Sequence, residues 1–313
     1  MRQPLASVCI PAYGRPAELK EAILSALAQT VDDLEVVVCD DSGDLEGTVR
    51  AIGDARVRYF RNDTRLGMAG NWDRALHLAR GRYRALLMDD DTLSPGFLAR
   101  TVPVLDADAG VGTAFTNHYL QRGAKRTIRT TPLASGRHDA FLKTILLQQP
   151  VAVSAALMRA EAWEATRPLP DLCAADLVMH IRIAEAGWAF YYVDEPLMSY
   201  RVHAGQLSTQ EQRTRDDLVT ALSMFDFTDP ECEHIRRRLL ASAFLARAAT
   251  NLKSGRPLAA QADVSAARAL ARPGTAREAF VAAIGRHRRL QRPAVWSWQA
   301  VRRTRRRRHS TSC

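Results

Sequence analysis

Three consecutive carboxylates, Asp89, Asp90 and Asp91, follow a short apolar run at residues 83–88 and precede a turn that contains Pro95. An apolar run of this length predicts a buried strand, and a Pro-Gly turn predicts that the chain then leaves the sheet. Because ligands of open α/β sheets bind outside the carboxyl ends of the strands, these acids are expected to face a substrate. Clustered aspartates supply the hard oxygens that Mg²⁺ or Mn²⁺ prefers, usually together with substrate phosphates. A solvated turn that only caps the next helix is the alternative.

Two other polar loops follow apolar runs of strand length earlier in the chain. Residues 6–10 form one run, and the β-branched run at residues 34–39 ends in an aspartate pair, Asp40 and Asp41. Apolar residues at helical spacing over residues 17–27 predict a helix between these two strands. Alternating strands and helices are typical of a parallel sheet, in which the strand ends share one edge. The three loops are therefore expected to converge on one crevice.

The segments that follow continue the alternation and then become less regular. Residues 57–60 predict a third strand, and residues from about 70 to 80 predict a helix. After another strand at residues 111–116, residues 117–138 are polar and basic and are interpreted as a loop. Such a loop is suited to covering an acceptor or a diphosphate, or is simply an exposed variable segment. Its basic residues are Arg122, Lys125, Arg126 and Arg129.

Two further polar residues lie later in the chain. Asp176 begins a run with helical spacing that ends at Gly187, so it is expected at a helix start. An acid there is either a reactive group or a residue favoured by the helix dipole. His203 closes the sequence Tyr200-Arg201-Val202-His203. A neutral imidazole suits Mn²⁺ or a phosphate, although a lone histidine is more often structural.

Four of these segments together resemble family 2 glycosyltransferases of the GT-A fold. The resemblance covers about residues 6–208 and rests on their order and spacing rather than on any one segment. The segments are Ser7–Pro16, Val37–Ser42, Asn71–Leu76 and Leu87–Pro95. The fold class implied is α/β: a Rossmann-like mixed, mostly parallel sheet flanked by helices, with an α-helical C-terminal appendage.

The resemblance implies a role for each candidate site residue. Asp176 takes the position of the catalytic base. The metal-binding positions are Asp90, Asp91 and His203. The nucleotide-sugar-binding positions are Pro11, Ala12, Tyr13, Arg15, Asp40, Asp41, Arg65, Asn71 and Asp89. Three alternatives stay open. Tyr13 could instead be an aromatic residue packed within its loop, and Asp40 could instead cap the next element. Either Asp90 or Asp91 could be the principal metal ligand, because Met88 stands where the family often has an acid.

The activity implied by the resemblance is metal-dependent transfer of a sugar from a nucleoside diphosphate sugar to an acceptor hydroxyl, with inversion. The cofactor would be Mn²⁺ or Mg²⁺, and the acceptor a glycan, a lipid-linked molecule or a small molecule. Nucleotidyl transfer and a catalytically silent binding scaffold are the alternatives. The carboxylates at three strand ends argue against a nucleic-acid-binding module.

The chain's composition limits its class and its compartment. The chain has 313 residues, 47% of them hydrophobic, and five widely spaced cysteines without a C-x-x-C pair. This composition predicts a globular protein without a disulfide framework or a zinc site, suited to the cytoplasm. No apolar stretch approaches the roughly 20 residues that a membrane helix needs.

Charge divides the chain unevenly. Residues 210–313 hold 21 Lys or Arg against 9 Asp or Glu, and the remaining residues hold 23 against 25. We therefore predict a catalytic domain at residues 1–209, with a nucleotide-binding half at 1–100 and an acceptor-binding half at 101–209. A helical domain at 210–300 and an Arg-rich tail at 301–313 follow. Such a tail either contacts an anionic membrane at its inner face or is a solvated segment.

Overall fold

The computed structural model of the chain describes residues 3–203, 205–206 and 210–271. The chain divides into two compact units, Met1–Gln206 and Leu207–Cys313. The predicted domain limits, including those of the Arg-rich tail at 301–313, remain predictions because residues 207–209 and 272–313 lie outside the described part.

The first unit is built on a sheet whose first four strands pair in parallel. Their β-branched and apolar residues lie inside the unit: Val8, Ile10, Val36 and Val38 are each 0% exposed. The spatial order is β3-β2-β1-β4, so β1 lies between β2 and β4. These strands are β1 (Ala6–Ala12), β2 (Leu34–Asp40), β3 (Val57–Arg61) and β4 (Tyr83–Leu86). The carboxyl ends of β1, β2 and β4 therefore lie along one edge.

Helices connect these strands, and apolar residues at helical spacing bury one face of each. In α1, Leu19, Ala22, Ile23 and Ala26 are fully buried. The helices of this unit are α1 (Pro16–Leu27), α2 (Glu46–Arg50), α3 (Gly67–Leu78), α4 (Phe97–Ala107), α5 (Leu142–Gln148), α6 (Ala160–Glu164) and α7 (Ala175–Glu185). Helix α3 begins about one turn before its predicted start, and β4 ends two residues before its predicted end.

The other part of the sheet is mixed. β9 pairs antiparallel with both β4 and β6, β6 pairs parallel with β10, and β10 pairs antiparallel with β5 and β8. These strands are β5 (Thr92–Leu93), β6 (Val111–Arg122), β7 (Lys125–Arg129), β8 (Gly136–His138), β9 (Ala156–Arg159) and β10 (Ala189–Arg201). The predicted α/β fold, a mixed and mostly parallel sheet flanked by helices, is confirmed.

The predicted loop at residues 117–138 is wrong. Strand β6 runs on to Arg122, turns through two residues and pairs antiparallel with β7. Gly123 has a φ of +57°, the left-handed conformation that two-residue hairpin turns favour and that glycine adopts without strain. From Arg122 to Arg129 both faces of the hairpin reach solvent and carry polar side chains, which removes the alternation on which the prediction of strands depends.

The second unit contains three described helices, as expected for a C-terminal helical appendage. They are α8 (Glu211–Ser223), α9 (Pro230–Lys253) and α10 (Pro257–Leu270). Helix α9 starts at Asp229, whose side chain accepts a hydrogen bond from the Cys232 N–H at 2.7 Å. Asp263 of α10 is buried and binds Arg247 at 2.6 Å. Within the described residues, no helix of the chain is long and apolar enough to cross a membrane.

Candidate active site

The loop after β1 contacts the acid triplet. Tyr13 donates its backbone N–H to Asp89 Oδ2 at 2.8 Å, which joins the ends of β1 and β4. The Tyr13 side chain is 46% exposed, and the Arg65 guanidinium lies 4.5 Å from its ring centroid. Tyr13 is thus not a packed loop aromatic: it offers a flat face to solvent with a cation beside it. Pro11 and Ala12 are buried residues of β1 itself.

Asp40, the first acid after β2, holds its own loop together. Its carboxylate accepts hydrogen bonds from the Ser42, Gly43 and Leu45 N–H groups and from the Tyr59 hydroxyl, at 2.8–2.9 Å. Burial acts to raise the pKa of this carboxyl, but the four donors outweigh it and lower the pKa below its ordinary value. The side chain is therefore ionised, and both of its oxygens are engaged by its own loop and by Tyr59, although α2 has no side-chain cap hydrogen bond.

Asp41 lies one residue further along and is more accessible. It accepts from Asn62 Nδ2 and the Leu66 N–H at 2.7 Å each, and from the Gly67 N–H at 3.0 Å. These bonds fix the loop before α3 against the end of β2. Helix α3 in turn contributes Asn71, which donates to the Cys39 carbonyl at 3.0 Å and is 3% exposed.

The acid triplet after β4 is buried, although it consists only of carboxylates. Asp89, Asp90 and Asp91 are 5%, 8% and 1% exposed. Burial, together with the neighbouring charge of Asp90, raises the pKa of Asp89 to about 6 and the pKa of Asp91 to about 7. Three carboxylates packed so closely require positive charge nearby.

Two cationic or proton-bearing side chains meet the triplet. The Arg15 guanidinium makes a short contact with Asp90 and lies 3.2 Å from Asp89 Oδ1. His203 Nε2 lies 2.9 Å from Asp90 Oδ2. The first loop and the end of the first unit therefore meet on Asp90.

Arg201 also binds the triplet, and sequence reasoning did not assign it to the site. Its backbone N–H donates to Asp91 Oδ1 at 3.0 Å, and its Nε donates to the Asp90 carbonyl at 3.0 Å. Arg201 lies in the motif Tyr200-Arg201-Val202-His203, from which only His203 was predicted as a candidate site residue.

The donor set of the triplet is suited to a hard divalent cation. Asp91 Oδ2 is buried and makes no hydrogen bond of ordinary geometry within the described residues. Carboxylate oxygens with one imidazole match the preferences of Mn²⁺ and Mg²⁺, which usually take one or two protein carboxylates and complete their shell with phosphates and water. No group of three or more side chains in the described ranges forms a ready metal cage. The arrangement fits a cation shared with a ligand.

Asp176 lies elsewhere in the first unit, at the start of α7. Its Oδ1 accepts the Leu177 N–H at 2.8 Å, and burial raises the pKa of its carboxyl. It lines a cavity of about 60 Å³ together with Ile145, Gln149, Pro150, Val151, Leu177 and His180. Among the described residues Asp176 makes no hydrogen bond or ion pair with the triplet or the first two loops.

His180 is a second polar group of this cavity that sequence reasoning missed. It lies one helical turn after Asp176 and is 4% exposed, and its Nε2 has no hydrogen-bond partner among the described residues. Burial lowers the pKa of His180 to about 4, so the imidazole is neutral at pH 7. His180 follows Asp176 by four residues, and this spacing, visible in the sequence, places both side chains on the same face of a helix.

A sequence model described as Glycosyl transferase family 2 matches residues 7–162. The matched part contains β1, β2 and β4, the loop after β1, and the acid-bearing loops after β2 and β4. This domain belongs to glycosyl transferase family 2. Asp176 and His203 lie beyond the matched residues, so their roles rest on the resemblance of the later segments.

Relatives of this family 2 domain match over about a third of the chain. An uncharacterised protein of Mycobacterium tuberculosis is 36% identical over 124 residues, 38% of this chain and 38% of that protein. The Escherichia coli UDP-Glc:alpha-D-GlcNAc-diphosphoundecaprenol beta-1,3-glucosyltransferase WfaP is 30% identical over 120 residues, 38% of this chain and 47% of WfaP. The matches thus span less than half the length of these relatives.

Solved structures share the fold of the family 2 domain. S. aureus TarS 1-349 in complex with UDP-GlcNAc has a TM-score of 0.64 at 14% identity, over 84% of this chain and 81% of that one. Mannosyltransferase PcManGT from Pyrobaculum calidifontis, in complex with GDP-Man and Mn2+, has a TM-score of 0.58 at 20% identity, over 94% and 84% of the two chains.

Proposed function

We propose that this family 2 protein transfers a sugar from a nucleoside diphosphate sugar to an acceptor hydroxyl with inversion at the anomeric carbon. The observation that carries the proposal is the junction on the acid triplet, where Asp89 binds Tyr13 N–H and Asp90 meets both Arg15 and His203. The loop after β1 and the end of the unit's last strand thus meet one set of buried carboxylates after β4, at the carboxyl edge of the sheet, where ligands of such sheets bind.

The donor nucleotide is proposed to bind across the first two loops. The exposed Tyr13 ring and the Arg65 guanidinium beside it offer stacking surfaces for a nucleobase. Asp41 accepts from the base, and Asp89 accepts from the ribose. We assign Asp40 and Asn71 to holding these loops in place, because their polar atoms are engaged by the protein and both side chains are buried, whereas Asp41 is partly exposed.

Asp90, Asp91 and His203 would hold a divalent cation, Mn²⁺ or Mg²⁺. When bound, the cation offsets the negative charge on the departing diphosphate. Arg15 already neutralises part of the charge of Asp89 and Asp90, and it is placed to donate to a phosphate oxygen as well.

Asp176 is proposed as the general base. In a direct displacement, the acceptor hydroxyl attacks the anomeric carbon, the bond from that carbon to the diphosphate oxygen breaks, and the hydroxyl proton passes to Asp176. Burial raises the pKa of this carboxyl, which brings it nearer to the working pH and makes it a better proton acceptor. The neighbouring cavity is the place for the hydroxyl-bearing group.

A lipid-linked saccharide is the acceptor class we favour. WfaP is named for action on a GlcNAc-diphosphoundecaprenol, and a Campylobacter jejuni relative, 33% identical over 124 residues, is named for a similar diphosphoundecaprenol substrate. We accordingly propose a place at the inner face of the cytoplasmic membrane, with peripheral contact.

The test is a thermal-shift panel of UDP, dTDP and GDP with and without Mn²⁺, on the parent chain and on Asp90→Ala. A ligand that binds only the folded state raises the melting temperature by mass action. We expect one nucleotide to stabilise the parent more strongly with Mn²⁺, and Asp90→Ala to lose that metal-dependent part. Asp63→Ala, which removes an exposed acid from the loop before α3, is the matched control and should behave as the parent.

Product analysis with the selected donor completes the test. Release of free nucleoside diphosphate together with a glycosylated acceptor supports the proposal. Release of pyrophosphate would indicate nucleotidyl transfer instead, and nucleotide binding without turnover of any acceptor would indicate a binding scaffold. An Asp90→Ala chain that keeps the full Mn²⁺-dependent shift would contradict the metal assignment.

A further inference from the structure

Strand β7 forms an exposed edge of the sheet, because it pairs only with β6 among the described strands, and β6 pairs on its other side with β10 as far as Gln121. All five residues of β7 are exposed, as are Arg122, Gly123 and Ala124 before it. Close to the turn, Arg126 donates to the Ser199 hydroxyl at 2.9 Å and lies over the Tyr119 ring, with its guanidinium carbon 3.4 Å from the centroid. The hairpin is thus held to the sheet through β6 and Arg126, while β7 and the turn are exposed.

Three cations lie on one face of this hairpin. The pairing register sets Arg122 opposite Lys125 and His118 opposite Arg129, and residues two apart along a strand share a face. Arg122, Lys125 and Arg129 therefore point the same way. No ion pair to any of the three exists within the described residues.

No acid compensates this face from the surrounding chain. Residues 109–138 contain five Lys or Arg and no Asp or Glu. Exposed basic residues elsewhere in the first unit more often have a partner, as Arg50 has in Glu46 and Arg100 has in Glu195. The uncompensated charge is complementary to an anionic surface.

The hairpin also carries an apolar side chain in water. Ile128, on the opposite face, is 55% exposed. Because every residue of this edge strand is exposed, a surface that receives the edge meets side chains of both faces. Cations beside an exposed aliphatic residue are typical of segments that lie in the headgroup region of a bilayer, where charge and apolar contact both contribute.

The hairpin is continuous with the edge of the candidate active site. The Val202 N–H donates to the Gln121 carbonyl at 2.8 Å, next to Arg201, which binds Asp90 and Asp91. A surface that receives the hairpin would thus lie near the acid triplet.

We propose that the β6–β7 hairpin docks on the anionic headgroup layer of a phospholipid bilayer through Arg122, Lys125, Arg129 and Ile128. The docking holds the rim of the active site at the membrane surface. The interaction itself does not depend on the proposed transferase activity, and it is separate from any contact made by the Arg-rich tail.

The test measures co-sedimentation with vesicles of phosphatidylcholine alone or mixed with phosphatidylglycerol. The hairpin variant is Arg122→Gln/Lys125→Gln/Arg129→Gln, and the matched control is Lys20→Gln/Arg50→Gln/Arg80→Gln, which removes three exposed cations outside the hairpin. Each variant is made in the full chain and in a chain lacking residues 300–313. Each cation near an anionic surface is worth about a fivefold change in partitioning, so the hairpin variant should bind about 100-fold more weakly.

The expected pattern is loss in the hairpin variant, little change in the control, and restored binding in Arg122→Lys/Arg129→Lys, which keeps the charge. Ile128→Ser should give a smaller loss that persists in high salt, because only the charge interactions are screened. Circular dichroism melting should be unchanged, since these side chains are exposed. Equal binding of the hairpin variant and the parent in the tail-deleted chain would overturn the proposal. Equal binding of the parent to neutral and to anionic vesicles would also overturn it. The same holds if the control variant lost as much binding as the hairpin variant.

Discussion

The surroundings of Asp176 act in opposite directions on the charge of its carboxylate. It lies at the start of α7, where the helix dipole and the Leu177 N–H favour the carboxylate, yet burial raises its pKa. His180 shares the cavity as a neutral imidazole and adds no positive charge. An ionised carboxyl in such surroundings lowers the stability of the folded protein. Such a cost is expected of a catalytic group.

Replacement of Asp176 by asparagine should lower kcat by about 10² to 10⁴-fold, because the amide keeps the size of the side chain but accepts no proton. Donor affinity should be unchanged. Glu185→Gln, which neutralises an exposed acid at the other end of α7, is the control and should keep parent turnover. Steady-state kinetics with the donor found by thermal shift provides the measurement. Retention of more than about a tenth of parent turnover by the asparagine variant would contradict the assignment.

The same variant should alter how stability depends on pH. The raised pKa of Asp176 means that the folded state prefers the neutral carboxyl, so the cost of ionisation is absent below the unfolded pKa of about 4 and grows as pH rises above it. Asp176→Asn removes that cost. Its melting temperature should match the parent's at about pH 4 and exceed it at about pH 7. A variant less stable than the parent throughout this range would show that Asp176 acts chiefly as a helix cap.

The adjacent acids Asp40 and Asp41 show what sequence can and cannot predict at single residues. Both follow β2, and the sequence predicts their place at the sheet edge. Their surroundings differ: Asp40 is engaged by N–H groups of its own loop up to Leu45 and by the Tyr59 hydroxyl on β3, whereas residues before α3 engage Asp41. The distant partners, Tyr59 and the residues before α3, follow from tertiary packing, so the sequence leaves a structural acid and a binding residue indistinguishable.

At the scale of elements, α3 is tied to the sheet through one buried amide. Asn71 donates to the Cys39 carbonyl at the end of β2 and accepts from Asn62 Nδ2 at 2.9 Å. Both interactions lie under the loop that carries Asp41. The position of the second loop therefore depends on α3.

Asn71→Ala should lower the free energy of unfolding by about 1–3 kcal/mol, because it leaves a buried carbonyl without its donor. It should also weaken donor binding, since the Asp41 loop loses its support. His77→Ala, at an exposed position of the same helix, should change stability by less than about 0.5 kcal/mol. Urea unfolding monitored by circular dichroism measures both. Equal stability of Asn71→Ala and the parent would show that the amide bonds are dispensable.

The elements of the first unit differ in how well the sequence predicts them. The buried strands β1 and β2 are continuous apolar runs, and their limits are predicted to within two residues. The β6–β7 hairpin was predicted as a loop because charged side chains on both of its faces leave no period of two. Its formation depends on Gly123 and on pairing that continues from the buried part of β6.

At the scale of the whole chain, the candidate site residues and the C-terminal helices belong to different units. Every candidate site residue lies within the unit Met1–Gln206, whereas the net positive charge of the protein comes from residues 210–313. The first unit has its own buried core of strand and helix side chains, and α9 and α10 pack a separate one.

A chain ending at residue 209 should therefore unfold cooperatively and bind the same nucleotide as the full chain. The acid triplet, its partners Arg15, Arg201 and His203, and both nucleotide loops are all retained. Thermal shift with and without Mn²⁺ measures the binding, and Asp90→Ala in the shortened chain is the control. A shortened chain that lacks a cooperative transition would show that the helical unit is needed for folding of the first.

The junction on Asp90 has a consequence for the order of folding. Its side chain meets Arg15, 75 residues earlier, and His203, 113 residues later, so both contacts close very long loops of chain. Long-range closures come late, after local helices and neighbouring strands have reduced the entropy that they cost. In a refolding experiment, helical circular dichroism should return first, and the capacity to bind nucleotide should return last. The return of nucleotide binding would then mark the end of folding.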